Sequence, residues 1–305
     1  MNKRAIDSIR DQILDQMNQG RAPWQKGWTP SRGVSQPING KTGRPYKGWA
    51  NILSLYFNAE QHGYSSPRWV TFKQAKELGL CVRKGEKGTH VEFWKSYSTK
   101  KDEQEAAERD DDKKPFKRLA SKVYSVFNED QLDGTIEDAP EAAPVDRGIQ
   151  FVLDTAEAAG VKLAFGGGNK AYYIPGLDLV RSPNLDQYTS VERAICTLLH
   201  EMIHWTGGEV RLNRDQSGEF GSDAYATEEL VAEAGAWLLS MELGLPFAPQ
   251  HTTAYLANWA SRTHDAGKAL DQALSDAQKA ARQLIDAADK AGLTYEGDEQ
   301  EQAAA

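Results

Sequence analysis

Apolar positions recur at helical spacing in residues 3–19, where Ile6, Ile9, Ile13, Leu14 and Met17 share one face ahead of Gly20. The same period predicts helices over 49–61, from Thr71 onward in VTFKQAKELG, over 147–159 and across Ser190–Gly208. It returns in TEELVAEAGAWLLSMELG, around TAYLANWASRTH and in an Ala-rich terminal segment that ends before GDEQEQAAA. Alternation of period two marks strands. CVRKGEKGTHVEFWKSY reads as a hairpin turning at Lys84–Gly88, and KVYSVFN as a strand that pairs with VEFW. VKLAFGGGNKAYYIPGLDLVRSP reads as two short strands around a turn, and its three glycines lack the Gly-Lys-Ser/Thr continuation of a phosphate loop.

Two stretches interrupt these patterns. Residues 98–117 are almost all charged and contain too few large apolar side chains to join a core, so they predict a disordered insertion between the paired strands. Residues 128–146 are acidic and Pro/Ala-containing, the composition of a linker. The fold class is therefore α+β in two domains: residues 1–127, and residues 147–305, mostly helical with a small sheet before the Ser190 helix.

The net charge of −8 conceals a division. Residues 1–127 hold 24 Lys and Arg against 14 Asp and Glu, a balance of +10; the rest of the chain holds 12 against 30, a balance of −18. The basic part also carries 15 of the 28 aromatic residues, and that mixture suits a polyanion with stackable bases. Trp24, Lys26, Trp28, Arg32, Lys41, Arg44, Tyr46 and Lys47 are the candidates for binding single-stranded nucleic acid; Trp49, Trp69 and Trp94 fall in regular elements, where core packing competes. No helix-turn-helix or zinc-finger spacing points to double-stranded DNA, and charge and stacking leave RNA open. No run of eighteen apolar residues predicts a membrane span, the N-terminus is a charged amphipathic helix, and Cys81 and Cys196 match no zinc or redox spacing; a cytoplasmic location is expected.

The strongest chemical signal is His200-Glu201-Met202-Ile203-His204 within the Ser190–Gly208 helix. Histidines four residues apart project from one face and can reach one tetrahedral ion, and Glu201 lies beside them to take a proton from water. Zn2+ is the expected ion, with Mn2+ and Co2+ open. Position 210 is Val, which excludes the subclass with a third histidine there. A downstream carboxylate is needed, and Glu228, Glu229 and Glu233 open the next strong helix. Glu229 and Glu233 share a face, so Glu229 is expected to bind the ion and Glu233 to support it; Asp215 and Asp223 are fallback ligands, while His251 and His264 read as structural or exposed. Tyr225 could polarise an oxyanion, and the strand AYYIPGLDLVRSP could align an extended peptide by edge pairing. Peptide hydrolysis is the default chemistry of such a site.

Over nearly its full length the chain resembles the ArdC-type antirestriction proteins, through WQKGW, GRPYKGWANILSLYF, KGEKGTHVEFWK, IPGLDLVRSP, HEMIHWTG and YATEELVAEAGAWLL. The resemblance implies an N-terminal single-stranded-DNA-binding domain, a C-terminal zincin-like metallopeptidase domain, and protection of incoming plasmid DNA from host restriction during conjugation. It places His200, Glu201, His204 and Glu229 on the family's metal-site motif. Single-stranded DNA is the implied partner, with host restriction-modification proteins or a peptide substrate as further ones; the sequence does not set the oligomeric state. The rival expectation is an intracellular DNA-associated zinc metalloprotease whose proteolysis is the main function.

Overall fold

The computed structural model describes residues 5–19, 37–97, 118–137, 148–219, 221–245 and 265–293. The chain opens with α1 (Ala5–Asn18), followed by β1 (Ile38–Asn39), α2 (Trp49–His62), β2 (Arg68–Thr71), α3 (Phe72–Glu77), β3 (Thr89–Tyr97) and β4 (Arg118–Asn128). α2 stops where Gly63 takes φ 69, a left-handed position that glycine adopts without strain. α3 starts on a capping box: Thr71 accepts from the Gln74 amide at 3.2 Å, and Gln74 Oε1 accepts from the Thr71 amide at 2.9 Å.

The first sheet has the order β1-β2-β4-β3, and β3 pairs antiparallel with β4 from Thr89–Val126 to Tyr97–Arg118. Strand pairing between VEFW and KVYSVFN is thus as expected, and the charged stretch 98–117 that joins the two strands lies outside the described residues. The hairpin at Lys84–Gly88 does not form. Val82 makes an isolated bridge with Leu132, and the Arg83 amide and guanidinium bond to the Gln131 and Leu132 carbonyls at 3.0 and 2.8 Å, so this segment's pairing capacity is spent there. Residues 128–137, the start of the acidic stretch that reads as a linker, are packed. Asn128 caps a 3-10 turn, Leu132 and Ile136 are buried against Val70 and Ala75, and buried Glu129 accepts from the Ile136 amide at 2.7 Å. The remainder of that stretch, 138–146, lies outside the described residues.

The second part contains α4 (Ile149–Ala159), β5 (Lys162–Phe165), β6 (Tyr172–Ile174), β7 (Leu179–Ser182), α5 (Val191–Thr206), α6 (Asp223–Leu243) and α7 (Ala266–Lys290). Three strands stand where alternation suggested two, because the Pro175-Gly176 turn, closed by Asp178 at φ 48, splits the second run. The order is β5-β7-β6, with β5 and β7 parallel and β6 antiparallel at the edge. The helix expected around TAYLANWASRTH lies outside the described residues.

One apolar core joins the two parts. Ile13 and Met17 of α1 and Ile52, Leu53 and Tyr56 of α2 belong to the same cluster as Leu198 and Met202 of α5, Leu230 and Trp237 of α6 and Leu274 of α7. Polar contacts cross the same seam: Arg10 Nη1 to Asp271 at 3.0 Å, and the Trp49 amide to Gln278 Oε1 at 3.3 Å. Tyr56 and Trp237 meet edge to face with centroids 6.4 Å apart. Within this core α6 lies close against α5, since a Cβ on Gly235 would stand 2.9 Å from Ile203 Cγ2. That approach sets the start of α6 beside the histidines of α5. Among the described residues no helix is long and apolar enough to cross a membrane.

Candidate metal centre

Ser190 Oγ caps α5 by accepting from the Arg193 amide at 3.3 Å, and Ile195, Leu198, Leu199, Met202 and Ile203 bury one face of that helix. His200 and His204 face a cleft of about 600 Å³ whose walls include Tyr173, Tyr225, Glu228, Glu229 and Glu233. The two Nε2 atoms are 3.0 Å apart. Glu229 Oε2 lies 3.5 Å from His200 Nε2, and its Oε1 lies 3.5 Å from His204 Nε2. Ligand bonds of about 2.0–2.1 Å around a tetrahedral ion put neighbouring donor atoms about 3.3 Å apart, so the three side chains fit a His2Glu zinc site. Among the described residues this is the group of possible ligands that converges. Asp215 instead bonds Ser217 on the intervening loop, Asp223 sits in the first turn of α6, and His251 and His264 lie outside the described residues.

Glu201 lines the cleft and is 8% exposed; its Oε2 accepts from the Tyr173 amide at 2.9 Å. The bond ties the edge strand β6 to the motif helix. Tyr173 is held in turn, its hydroxyl bonding Asp178 at 2.9 Å and accepting from Arg211 at 3.0 Å. Tyr225 lies in the cleft, where burial, then the Glu229 charge and its hydrogen bond, push the phenol up to about 12. It stays a protonated donor at neutral pH. Glu233 is also buried on the cleft wall, and its charge helps to raise the pKa of His200.

The residue that spacing did not single out is Glu228, whose Oε1 lies 3.0 Å from His204 Nδ1. The two nitrogens of an imidazole face opposite flanks, so consecutive glutamates can address both: Glu229 at Nε2 and Glu228 at Nδ1. The Glu-Glu pair was visible in the sequence, but its division of roles depends on where α6 packs.

These carboxylates control the site's titration. Burial opposes a charged His204, yet its hydrogen bonds to Glu228 and Glu229 outweigh that and raise it to about 10. Burial opposes charge on the two glutamates as well, but Arg214 and His204 hold Glu228 down at about 2, and His200 and His204 hold Glu229 lower still. A raised histidine stabilises the fold fully below its ordinary 6.5 and loses that contribution as pH rises toward about 10. Lowered glutamates contribute above their ordinary 4.5 and lose it as pH falls toward about 2. The melting temperature of chelator-treated protein should therefore peak between about pH 5 and 6.5 and fall on both sides. A melting temperature that climbs from pH 6.5 to 10 would contradict this charge arrangement.

On the basic part, Trp24, Lys26, Trp28 and Arg32 lie outside the described residues. Tyr46 does not offer a stacking face: it is 4% exposed, packs against Phe93 with centroids 6.2 Å apart and donates to the Trp69 carbonyl at 3.4 Å. The ring is turned inward onto the first sheet, among Leu55, Trp69, Val91 and Val126. Trp49 and Trp69 are core residues, and the side chain of Trp94 lies outside the described residues. Lys41 and Lys47 are exposed and Arg44 is half-buried, with Lys41 ion-paired to Glu77 of α3. That pair ties the Lys41 turn to the end of α3, a helix that opens on an aromatic residue the sequence reading passed over. Phe72 is 60% exposed, next to exposed Lys73 and Lys76.

An HExxH helix preceded by a small sheet, with a glutamate supplied by the following helix, defines a zincin-like metallopeptidase site, here joined to a basic α+β part. Residues 3–127 match the model of the N-terminal domain of the anti-restriction factor ArdC, and residues 152–276 match that of a zincin-like metallopeptidase. Metal-free and Mn(II)-bound crystal structures of the antirestriction ArdC protein from plasmid R388 are 32% identical to the chain, with TM-scores of 0.69 and 0.68. Each covers 93% of this chain, and the chain covers 98% and 97% of theirs. The chain belongs to the ArdC antirestriction family. It is also 34% and 35% identical to two Escherichia coli proteins called DNA primase TraC, over 281 and 289 residues, but spans only 19% and 26% of their length. An uncharacterised Sinorhizobium fredii protein, y4eC, is 33% identical over 283 residues, of which the chain covers 89%.

Proposed function

We propose that this protein binds single-stranded DNA through its basic part, shields incoming DNA from host restriction in the cytoplasm, and carries a divalent-metal site, Zn2+ or Mn2+, of the metallopeptidase kind. The observation that carries the reading is the convergence of His200, His204 and Glu229 at 3.0–3.5 Å, in one fold with a segment of opposite net charge. A divalent ion held there supplies Lewis acidity and makes water more acidic. Glu201, on the cleft wall with its carboxylate anchored by the Tyr173 amide, accepts the proton of a water molecule. Tyr225, kept protonated, donates to the oxyanion that develops on a peptide carbonyl. His204 is oriented by Glu228, and Glu233 adds negative charge behind His200.

For DNA, exposed Phe72 supplies a ring with Lys73 and Lys76 as neighbouring cations in the same short helix, to whose end Lys41 is ion-paired through Glu77; Arg44 and Lys47 follow Lys41 in the chain. Base stacking on one ring is worth about 1–3 kcal/mol, so Phe72→Ala should weaken oligo(dT) binding by about 5- to 100-fold. Fluorescence anisotropy of the full chain, across a salt series and with a duplex control, tests this. A steep salt slope with single-strand preference is expected; equal affinity for duplex removes the single-strand reading, and unchanged affinity in Phe72→Ala removes the ring.

A further inference from the structure

We infer that Glu228, Arg214 and Gln216 form a clamp that presets the orientation of His204, so that metal affinity is determined by residues that never touch the metal. This rests on the proposed metal site at His200, His204 and Glu229. Glu228 Oε1 faces His204 Nδ1 at 3.0 Å, which keeps a ring proton on Nδ1 and makes Nε2 the nitrogen that exchanges its proton for a cation. A carboxylate can hold that role only if it stays ionised and fixed. Arg214 grips it with two bonds, Nε to Oε2 at 2.9 Å and Nη2 to Oε1 at 2.8 Å, while Gln216 Nε2 donates to Oε1 at 3.0 Å.

The same two side chains also finish the motif helix. Arg214 Nη2 donates to the Ile203 carbonyl at 2.7 Å and its Nη1 to Thr206 Oγ1 at 2.9 Å; Gln216 Nε2 donates to the His204 carbonyl at 2.6 Å. Carbonyls in the last turn of a helix lack the usual i+4 amide; those of Ile203 and His204 accept from Thr206 Oγ1 and the Gly207 amide, and the side chains that add further bonds to them also hold the carboxylate facing His204. Glu228 from α6, the loop at 214–216 and the end of α5 therefore share one network with the His204 side chain and backbone. Room has been cleared for it: a Cβ on Gly207 would lie 2.6 Å from Gln216 Nε2 and 2.9 Å from Arg214 Nη2. Both cation and carboxylate are nearly enclosed, with side-chain exposures of 8% for Arg214 and 9% for Glu228, so water does not screen the pair. Glu228 meets the imidazole at Nδ1 and Arg214 holds Glu228, so the clamp acts through His204.

The test uses the full chain and Zn2+ and Mn2+ as probes, with dissociation constants from competition titration and melting temperatures of chelator-treated protein recorded beside them. Glu228→Gln keeps the size and an acceptor oxygen but removes the charge that Arg214 holds; it should weaken both metals by about 10-fold, and Glu228→Ala by about 100-fold. Arg214→Met, which keeps the stem of the side chain, should fall between them. In Co2+-loaded protein the visible bands of Glu228→Gln should shift, a change that a merely structural role does not produce. Glu228→Gln that melts like the unaltered protein and binds Zn2+ within threefold of it overturns the clamp. Absence of stoichiometric metal in the unaltered protein, or undiminished binding in His204→Ala, overturns the metal site itself, so the two failures are told apart.

Discussion

Residues 1–127, produced without the rest of the chain, are expected to lack a cooperative fold and to bind oligo(dT) at least tenfold more weakly than the full protein. Composition and family both set this segment apart as a unit. Its packing does not. Ile13, Met17, Ile52, Leu53 and Tyr56 are buried in a core otherwise built by α4–α7, and Arg10 and the Trp49 amide find partners on α7. A fully buried large apolar side chain is worth about 1.5–3 kcal/mol, so uncovering even three of them costs about 5–9 kcal/mol, against a total stability of about 5–15 kcal/mol for a typical protein. The two smaller clusters on the first sheet, around Trp69 and around Val70, are too slight to offset that loss. Circular dichroism melts of the fragment and of the full chain measure it. A fragment with a sharp transition and full affinity would show that α1 and α2 rearrange to close a core of their own.

The same shared core explains what the sequence could and could not reveal. HEMIH, the Ser190 cap and the buried stripe of α5 are local features that stand where periodicity and capping put them; α6 begins at Asp223 on a Ser222 cap, four residues ahead of the TEELVAEAGAWLL pattern, so Glu228 and Glu229 lie in its second turn. Amphipathic α1 and α2 announced that they bury a face, but nothing within the 14 residues of either states what covers it. Turn-rich flanks made Tyr46 look exposed, whereas packing on the sheet and its bond to the Trp69 carbonyl bury it; Phe72, which the pattern did not single out, stands exposed just after the Thr71 cap. The partners of His204 Nδ1 and Glu201 come from residues 24 positions downstream and 28 upstream, contacts that only the packing of α6 and β6 creates. Arg214 in turn looked like one of several polar loop residues, and it acquires a role only when Glu228 is placed beside the end of α5.

Glu201 is where structure and chemistry can be pulled apart by two substitutions. Its carboxylate accepts from the Tyr173 amide, and β6 is an edge strand that among the described residues pairs with β7 alone, so this N–H relies on Glu201. In Glu201→Ala the donor is left unpaired, at a cost of about 1–3 kcal/mol, and β6 loses its tie to α5. Melting should drop by several degrees and the cleft wall should loosen. Glu201→Gln retains an acceptor oxygen for the amide but no base. It is expected to keep the melting temperature, Zn2+ content and oligo(dT) affinity of the unaltered protein, while cleavage of an unfolded protein probe such as casein falls by about 10²- to 10⁴-fold. Cleavage that survives in Glu201→Gln would remove Glu201 as the base. The cellular counterpart is transfer of unmodified plasmid into a restricting host: if proteolysis underlies protection, both variants fail. If DNA shielding alone suffices, Glu201→Gln protects fully and Glu201→Ala only as far as its reduced stability allows, because the anchor and the base are then different properties of one carboxylate.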